Sequence, residues 1–162
     1  MTWVRQRGVA ARLVVPGKPT PTVPAAAAAL GVPVDAILKS LVFLVQGVPR
    51  LAIAAGEDRV RYPALAAAWG VTRRQVRMAS PDEALAITGY PVGAMPPFGH
   101  QRTLPALVDA RCAPPGRTIY AGGGSRTALL ELQTDELLRV LGTAAGFALA
   151  DLTQPPTGGT RS

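Results

Sequence analysis

Apolar positions in this chain fall into short blocks set off by proline, glycine and charge. The most continuous block is Ala36–Val45, which carries a single cation, Lys39. Within it, Ser40–Val45 has the signature of a buried β-strand: short, unbroken, with two valines and a phenylalanine. A lysine at the mouth of such a strand is conspicuous, because burying an ammonium without a partner is costly. Two readings stand open. Its stem could lie on apolar surface with the ammonium in water, or it could point into a pocket to hold an anionic or carbonyl group.

The other blocks predict an alternation of short strands and helices. Residues 1–8 are polar and basic and are expected to form a loose arm. A strand over Ala10–Val15 is followed by a helix over Val23–Leu30, with Thr22 as N-cap, Pro24 in the first turn and Gly31 at the C′ position. Ser40–Val45 and Arg50–Ala55 flank a Gly-containing loop and predict a hairpin. Tyr62–Trp69 predicts a helix stopped by Gly70, and a short strand is expected around Gln75–Ala79. Ser80-Pro-Asp-Glu83 is a capping-box pattern that opens another short helix. Leu104–Val108, Arg117–Ala121 and Ala128–Leu132 predict strands, Asp135–Leu141 a last helix capped by Thr134, and Phe147–Leu152 a segment that closes the sheet. The fold class expected is α/β (α+β): one domain over residues 1–152, with a mixed curved sheet flanked by short helices. Residues 153–162 are expected to be a disordered polar tail.

Between Pro91 and His100, three prolines and two glycines exclude a helix interior or a central strand. The loop is still apolar, through Val92, Met95 and Phe98, so it must lie against the body of the protein. It is either a packed connection or a pocket wall. Gly122-Gly-Gly124 sits between two strands as a hairpin turn or as a place where backbone N–H groups approach a ligand. It lacks the lysine and hydroxyl residue of a P-loop.

Charge adds a partner class. The 162 residues carry a net charge of +7, with fifteen arginines and two lysines, which favours polyanions. Aromatic residues make up only 5%, so nucleic acid would be held mainly through its backbone. The cluster Arg73, Arg74 and Arg77 is either a solvated face or an RNA-facing patch. One cysteine, Cys112, excludes an internal disulfide, and no His/Asp/Glu spacing suits a metal, so no metal or organic cofactor is expected. No segment has the length or hydropathy of a membrane span, and the N-terminus has no secretion signal, so cytoplasm is expected. No Ser–His, Cys–His or carboxylate pair can be assembled from the spacing. An enzyme built from these residues would work by positioning, with Lys39 as its leading group.

The order LKSLVF, TGYPVGAMPPFGH, LPALVDA and TIYAGGGSR resembles the YbaK family, also called EbsC-type or prolyl-tRNA-synthetase-associated editing domains, over roughly residues 20–152. The resemblance implies an α/β editing domain that hydrolyses the ester between a wrong amino acid and a tRNA, without cofactor. Its implied partners are the acceptor end of tRNA and prolyl-tRNA synthetase; the oligomeric state stays open. It implies that Lys39 is needed for deacylation and holds the 3′-terminal adenosine end. Gly93 and Pro97 would frame the aminoacyl pocket and help place the ester carbonyl and water. Gly99, Asp109, Gly123 and Gly124 would line or support that site, and Thr22 would lie near it. Ala94, Met95, Pro96, Phe98 and His100 of the same loop are placed with them as substrate-binding residues.

The chain departs from the family pattern where Gly-Gly-x-Ser-Pro is replaced by Gly93-Ala-Met-Pro-Pro97, which removes a serine hydroxyl and a backbone N–H at Pro96. Ser125 stands where relatives carry a basic residue, with Arg126 beside it. The edited amino acid is therefore open between cysteine, alanine and serine on tRNA for proline. Two other classes are weighed: a non-catalytic tRNA- or synthetase-binding module of the same fold, and Schiff-base chemistry at Lys39.

Overall fold

The computed structural model describes residues 2–20, 22–144 and 146–154. The chain starts with a one-turn helix, α1 (Thr2–Gln6), and a strand, β1 (Ala11–Val14). Helix α2 (Val23–Leu30) begins where the Thr22 side chain accepts from the Ala25 N–H at 3.2 Å. Strands β2 (Leu38–Val45) and β3 (Val48–Ala55) then pair in full register, from Leu38 opposite Ala55 to Val45 opposite Val48. The connection is tighter than the sequence suggests: two residues, Gln46 and Gly47, both at positive φ, form the turn whose twist suits a hairpin. Pro49, expected in the loop, is therefore inside the strand.

Strand β4 (Arg59–Val60), helix α3 (Tyr62–Trp69), strand β5 (Val76–Met78) and helix α4 (Pro81–Thr88) follow. The capping box at α4 forms as expected, with the Ser80 hydroxyl accepting from the Glu83 N–H and the Glu83 carboxylate from the Ser80 N–H. After the Pro-Gly loop come β6 (Ala106–Asp109), β7 (Thr118–Gly122), β8 (Leu129–Gln133), helix α5 (Thr134–Ala144), β9 (Phe147–Ala150) and β10 (Thr153–Gln154).

Five strands form a mixed sheet in the order β5-β2-β3-β6-β9, antiparallel at β5, β2 and β3 and parallel across β6 and β9. A second sheet, β1-β8-β7, is antiparallel and touches the first through a bridge between Ile37 and Tyr120. Both faces of β2 are covered, which is why its sequence reads as an unbroken apolar run. Leu38, Val42 and Leu44 enter the larger core with Leu137 and Leu141 of α5. Phe43 and Val45 enter a smaller core with Leu65 and Ala66 of α3.

Two expectations are corrected at the ends of the chain. Residues 2–6 are helical rather than a loose arm: Val4 is buried, and the Trp3 ring stacks on Phe98 with centroids 5.1 Å apart. Their partner lies far away in sequence, so local composition could not reveal it. The fold also extends past residue 152, because β10 pairs with β4 and Thr153 is buried. The remainder of the expected tail, residues 155–162, lies outside the described residues.

Candidate active site

Lys39 lies on the β2 face that also carries Phe43, opposite the small Ala54 of β3. Its Nζ donates to the Asp58 backbone carbonyl at 2.7 Å. Burial lowers its pKa, against the opposing pull of Asp58 and Glu57. The Asp58 carboxylate itself turns to Arg111 at 3.3 Å. Lys39 is thus neither solvent-directed nor locked in an ion pair. A backbone carbonyl accepts from an ammonium, so this geometry favours the protonated form over the free amine that a Schiff base needs.

The edge of β2 opens beside Lys39. Strand β5 pairs only with Phe43, Leu44 and Val45, the Ala79 N–H donates to the Val42 carbonyl, and β7 touches at Ile37. Backbone groups alternate sides along a strand, so those of Ser40 point the same way as those of Val42, into the gap. The Ser40 hydroxyl is buried with no hydrogen-bond partner among the described residues, an arrangement that needs a reason.

This gap is a cavity of about 210 Å³. Its walls bring together Thr22, Lys39, Ser40, Gly93, Met95 and Gly122, from α2, β2, the Pro-Gly loop and β7. The loop stays in place because Gly122 admits it. A Cβ there would overlap the Met95 carbonyl oxygen and come within 2.7 Å of the Ala94 carbonyl carbon. The Gly124 N–H donates to the Ala94 carbonyl at 2.9 Å and completes the clasp.

Of the residues named from sequence, Thr22, Lys39, Gly93 and Met95 line this cavity. Ala94 is fully buried behind it. Gly123 donates to the Ala128 carbonyl and closes the β7–β8 hairpin, so the N–H groups of Gly123 and Gly124 are both consumed within the protein rather than offered to a ligand. Pro97, Phe98, Gly99 and His100 line a separate cavity of about 180 Å³ against Trp3. His100 Nε2 donates to the Pro96 carbonyl at 2.7 Å, and burial lowers the pKa of the ring. Asp109 is buried and accepts from the Leu152 N–H at 2.8 Å and the Thr153 hydroxyl at 3.0 Å, so it ties down the C-terminal segment. Cys112 is also inert: burial pushes its thiol up to about 12, and Arg111 turns away to Asp58 and Thr153.

Sequence reasoning passed over Ser40, and it took Gly122 only as part of the Gly122–Gly124 turn. The signal for Ser40 was a lone hydroxyl inside an apolar strand. For Gly122 the glycine run was the signal, but nothing local set it apart from its two neighbours or named the loop it meets, since the contact joins strand and loop through space. It also passed over a larger cavity of about 630 Å³ on the other side of Lys39, bounded by Leu41, Arg59, Arg61, Tyr62 and Arg73. The expected basic cluster divides: Arg77 is paired with Glu83 at 2.8 Å, whereas Arg73 folds over the Tyr62 ring. Among the described residues no group of three or more His, Cys, Asp or Glu could hold a metal. No helix among them is long and apolar enough to cross a membrane.

The chain is similar to known proteins throughout. Residues 17–140 match the family model for the aminoacyl-tRNA editing domain. The uncharacterized protein YwhH of Bacillus subtilis (strain 168) is 32% identical over 117 residues, 72% of each chain. Among solved structures, the hypothetical protein APE2540 is 33% identical, with a TM-score of 0.81 over 94% of this chain and 97% of that one. A proposed trans-editing enzyme for prolyl tRNA synthetase is 31% identical, also at TM-score 0.81, over 95% and 94%. With the sheet, the glycine-clasped loop and the Lys39 cavity in the expected order, the chain belongs to the aminoacyl-tRNA editing domain family, of the YbaK type.

Proposed function

We infer that this protein is a trans-editing deacylase that hydrolyses the ester of mischarged tRNA, with tRNA for proline carrying alanine, cysteine or serine as the substrate class. The observation that carries this reading is the junction at Lys39, where a smaller cavity and a larger cationic one share a single lysine. An aminoacyl ester needs little chemical activation. Water adds to the carbonyl carbon, the bond to the ribose oxygen breaks, and that oxygen takes a proton. Positioning and a donor for the developing oxyanion supply most of the catalysis.

In this reading the aminoacyl group enters the cavity of about 210 Å³ between Thr22, Gly93 and Met95. The Ser40 backbone N–H, on the open edge of β2, meets the ester carbonyl, and Lys39 holds the ribose end of the ester. Hydrolysis of Ala-, Cys- and Ser-tRNA for proline, with the cognate Pro-tRNA spared, is the expected outcome of a deacylation panel. No hydrolysis of any member, with tRNA still bound, would replace this reading with that of a non-catalytic tRNA-binding module. The loss of a hydroxyl and an N–H at Pro96 is the feature that motivates that alternative.

A further inference from the structure

The Pro-Gly loop meets the small cavity with one side only. Gly93 and Met95 line it, and the glycine clasp with β7 holds that front. The continuation through Phe98, Gly99 and His100 turns away and lines the cavity of about 180 Å³ behind the loop. Pro96 and Pro97 carry no backbone N–H, so this stretch can be fixed only through its carbonyls and by packing.

Two side chains from outside the 93–97 segment supply both. The Trp3 ring lies nearly parallel to the Phe98 ring, with centroids 5.1 Å apart and planes inclined by 20°. It also covers Gly99 so closely that a Cβ there would stand 3.0 Å from Trp3 Cδ2. Trp3 is in turn anchored by its neighbour Val4, which is buried in the larger core. On the other flank, His100 Nε2 donates to the Pro96 carbonyl at 2.7 Å. The His100 ring stands at 75° to the Tyr90 ring, and the Tyr90 hydroxyl donates to the Gly99 carbonyl at 3.4 Å. Trp3 lies outside residues 17–140, so the match to the family model assigns it no part.

We propose that Trp3 and His100 are positioning residues that brace the back of the Gly93–Pro97 loop and so fix where Gly93 and Met95 stand in the small cavity. Neither lines that cavity. Trp3 acts through Phe98 and Gly99, and His100 through the Pro96 carbonyl. That the fixed wall serves ester hydrolysis rests on the deacylase reading; the brace itself rests on the packing.

Two readouts on the full chain separate the brace from the chemistry. The Ala94 amide donates to the Pro91 carbonyl and the Gly124 amide to the Ala94 carbonyl, so both report the loop. The Val71 amide, which donates to the Ala66 carbonyl at the end of α3, reports the rest of the fold. In Trp3→Ala and His100→Ala, hydrogen exchange at Ala94 and Gly124 is expected to quicken by about tenfold, with Val71 unchanged. For a charged tRNA that the wild type turns over, kcat is expected to fall about tenfold while KM stays within about twofold. Trp3→Phe keeps a flat ring for Phe98, His100→Gln keeps an N–H for Pro96, and each restores both readouts. Gln6→Ala, exposed on α1, is the control without effect. If Trp3→Ala loses protection throughout the chain, Trp3→Leu, with apolar bulk but no flat face, takes its place. Unchanged exchange at Ala94 and Gly124 in both folded variants would overturn the proposal. So would faster exchange with kcat unchanged, or a rise in KM in place of the fall in kcat. Faster exchange in a protein that hydrolyses no charged tRNA supports the brace and counts against the deacylase reading.

Discussion

Lys39 and Cys112 sit close in the fold and show how burial sorts reactive from inert groups. Both are partly or wholly withdrawn from water, but Lys39 finds one carbonyl and two open cavities, whereas the Cys112 thiol faces only the Ile53 carbonyl at 3.7 Å. Burial pushes that thiol up to about 12. Its sign is that of an acid held in its neutral form, so the thiolate stays absent across the pH range in which an exposed cysteine, with pKa near 8.5, becomes nucleophilic. An Ellman's assay of the native protein at pH 8 should find no fast-reacting thiol, and one equivalent after denaturation. Rapid labelling of the native protein would mean that the environment of Cys112 is more open than its burial indicates.

At the scale of elements, strand β2 was legible in the sequence because being buried on both faces imposes an unbroken apolar run. Helices α2, α3 and α4 were legible through their caps, prolines and following glycines. The clasp between the 93–97 loop and the start of the β7–β8 connection was not, because it joins main chain to main chain. Gly123 and Gly124 are the two placed at the site from sequence, yet Gly122 is the glycine whose missing Cβ admits the loop, with Gly124 adding a hydrogen bond to Ala94. Gly122→Ala should force the Met95 carbonyl away from β7 and widen the small cavity. It is expected to reduce deacylation by about tenfold or more, since small displacements of positioning groups are costly to rate, and to lower the melting temperature by several degrees. A variant with wild-type activity would show that the close approach is not needed to shape the pocket. Residues Phe98, Gly99 and His100 were grouped with the substrate loop by their place in the chain. The fold turns them away to meet Trp3, a long-range packing choice that no local pattern encodes.

At the scale of the molecule, a net charge of +7 on 162 residues is only a tendency towards polyanions. The fold converts part of it into a location, by pairing Arg12, Arg77, Arg117 and Arg139 with carboxylates while leaving Arg59 and Arg73 beside Lys39. The whole account turns on Lys39 standing where the two cavities meet. The most direct test is single-turnover deacylation of alanine-charged tRNA for proline by wild type and Lys39→Ala, with tRNA binding and thermal melting measured on the same preparations. The account predicts a rate loss of about a hundredfold or more in the variant and a smaller loss of tRNA binding. It also predicts no drop in melting temperature, since the substitution removes a partly buried cation. A Lys39→Ala protein that folds, binds tRNA and still hydrolyses the ester within a few-fold of wild type would contradict it.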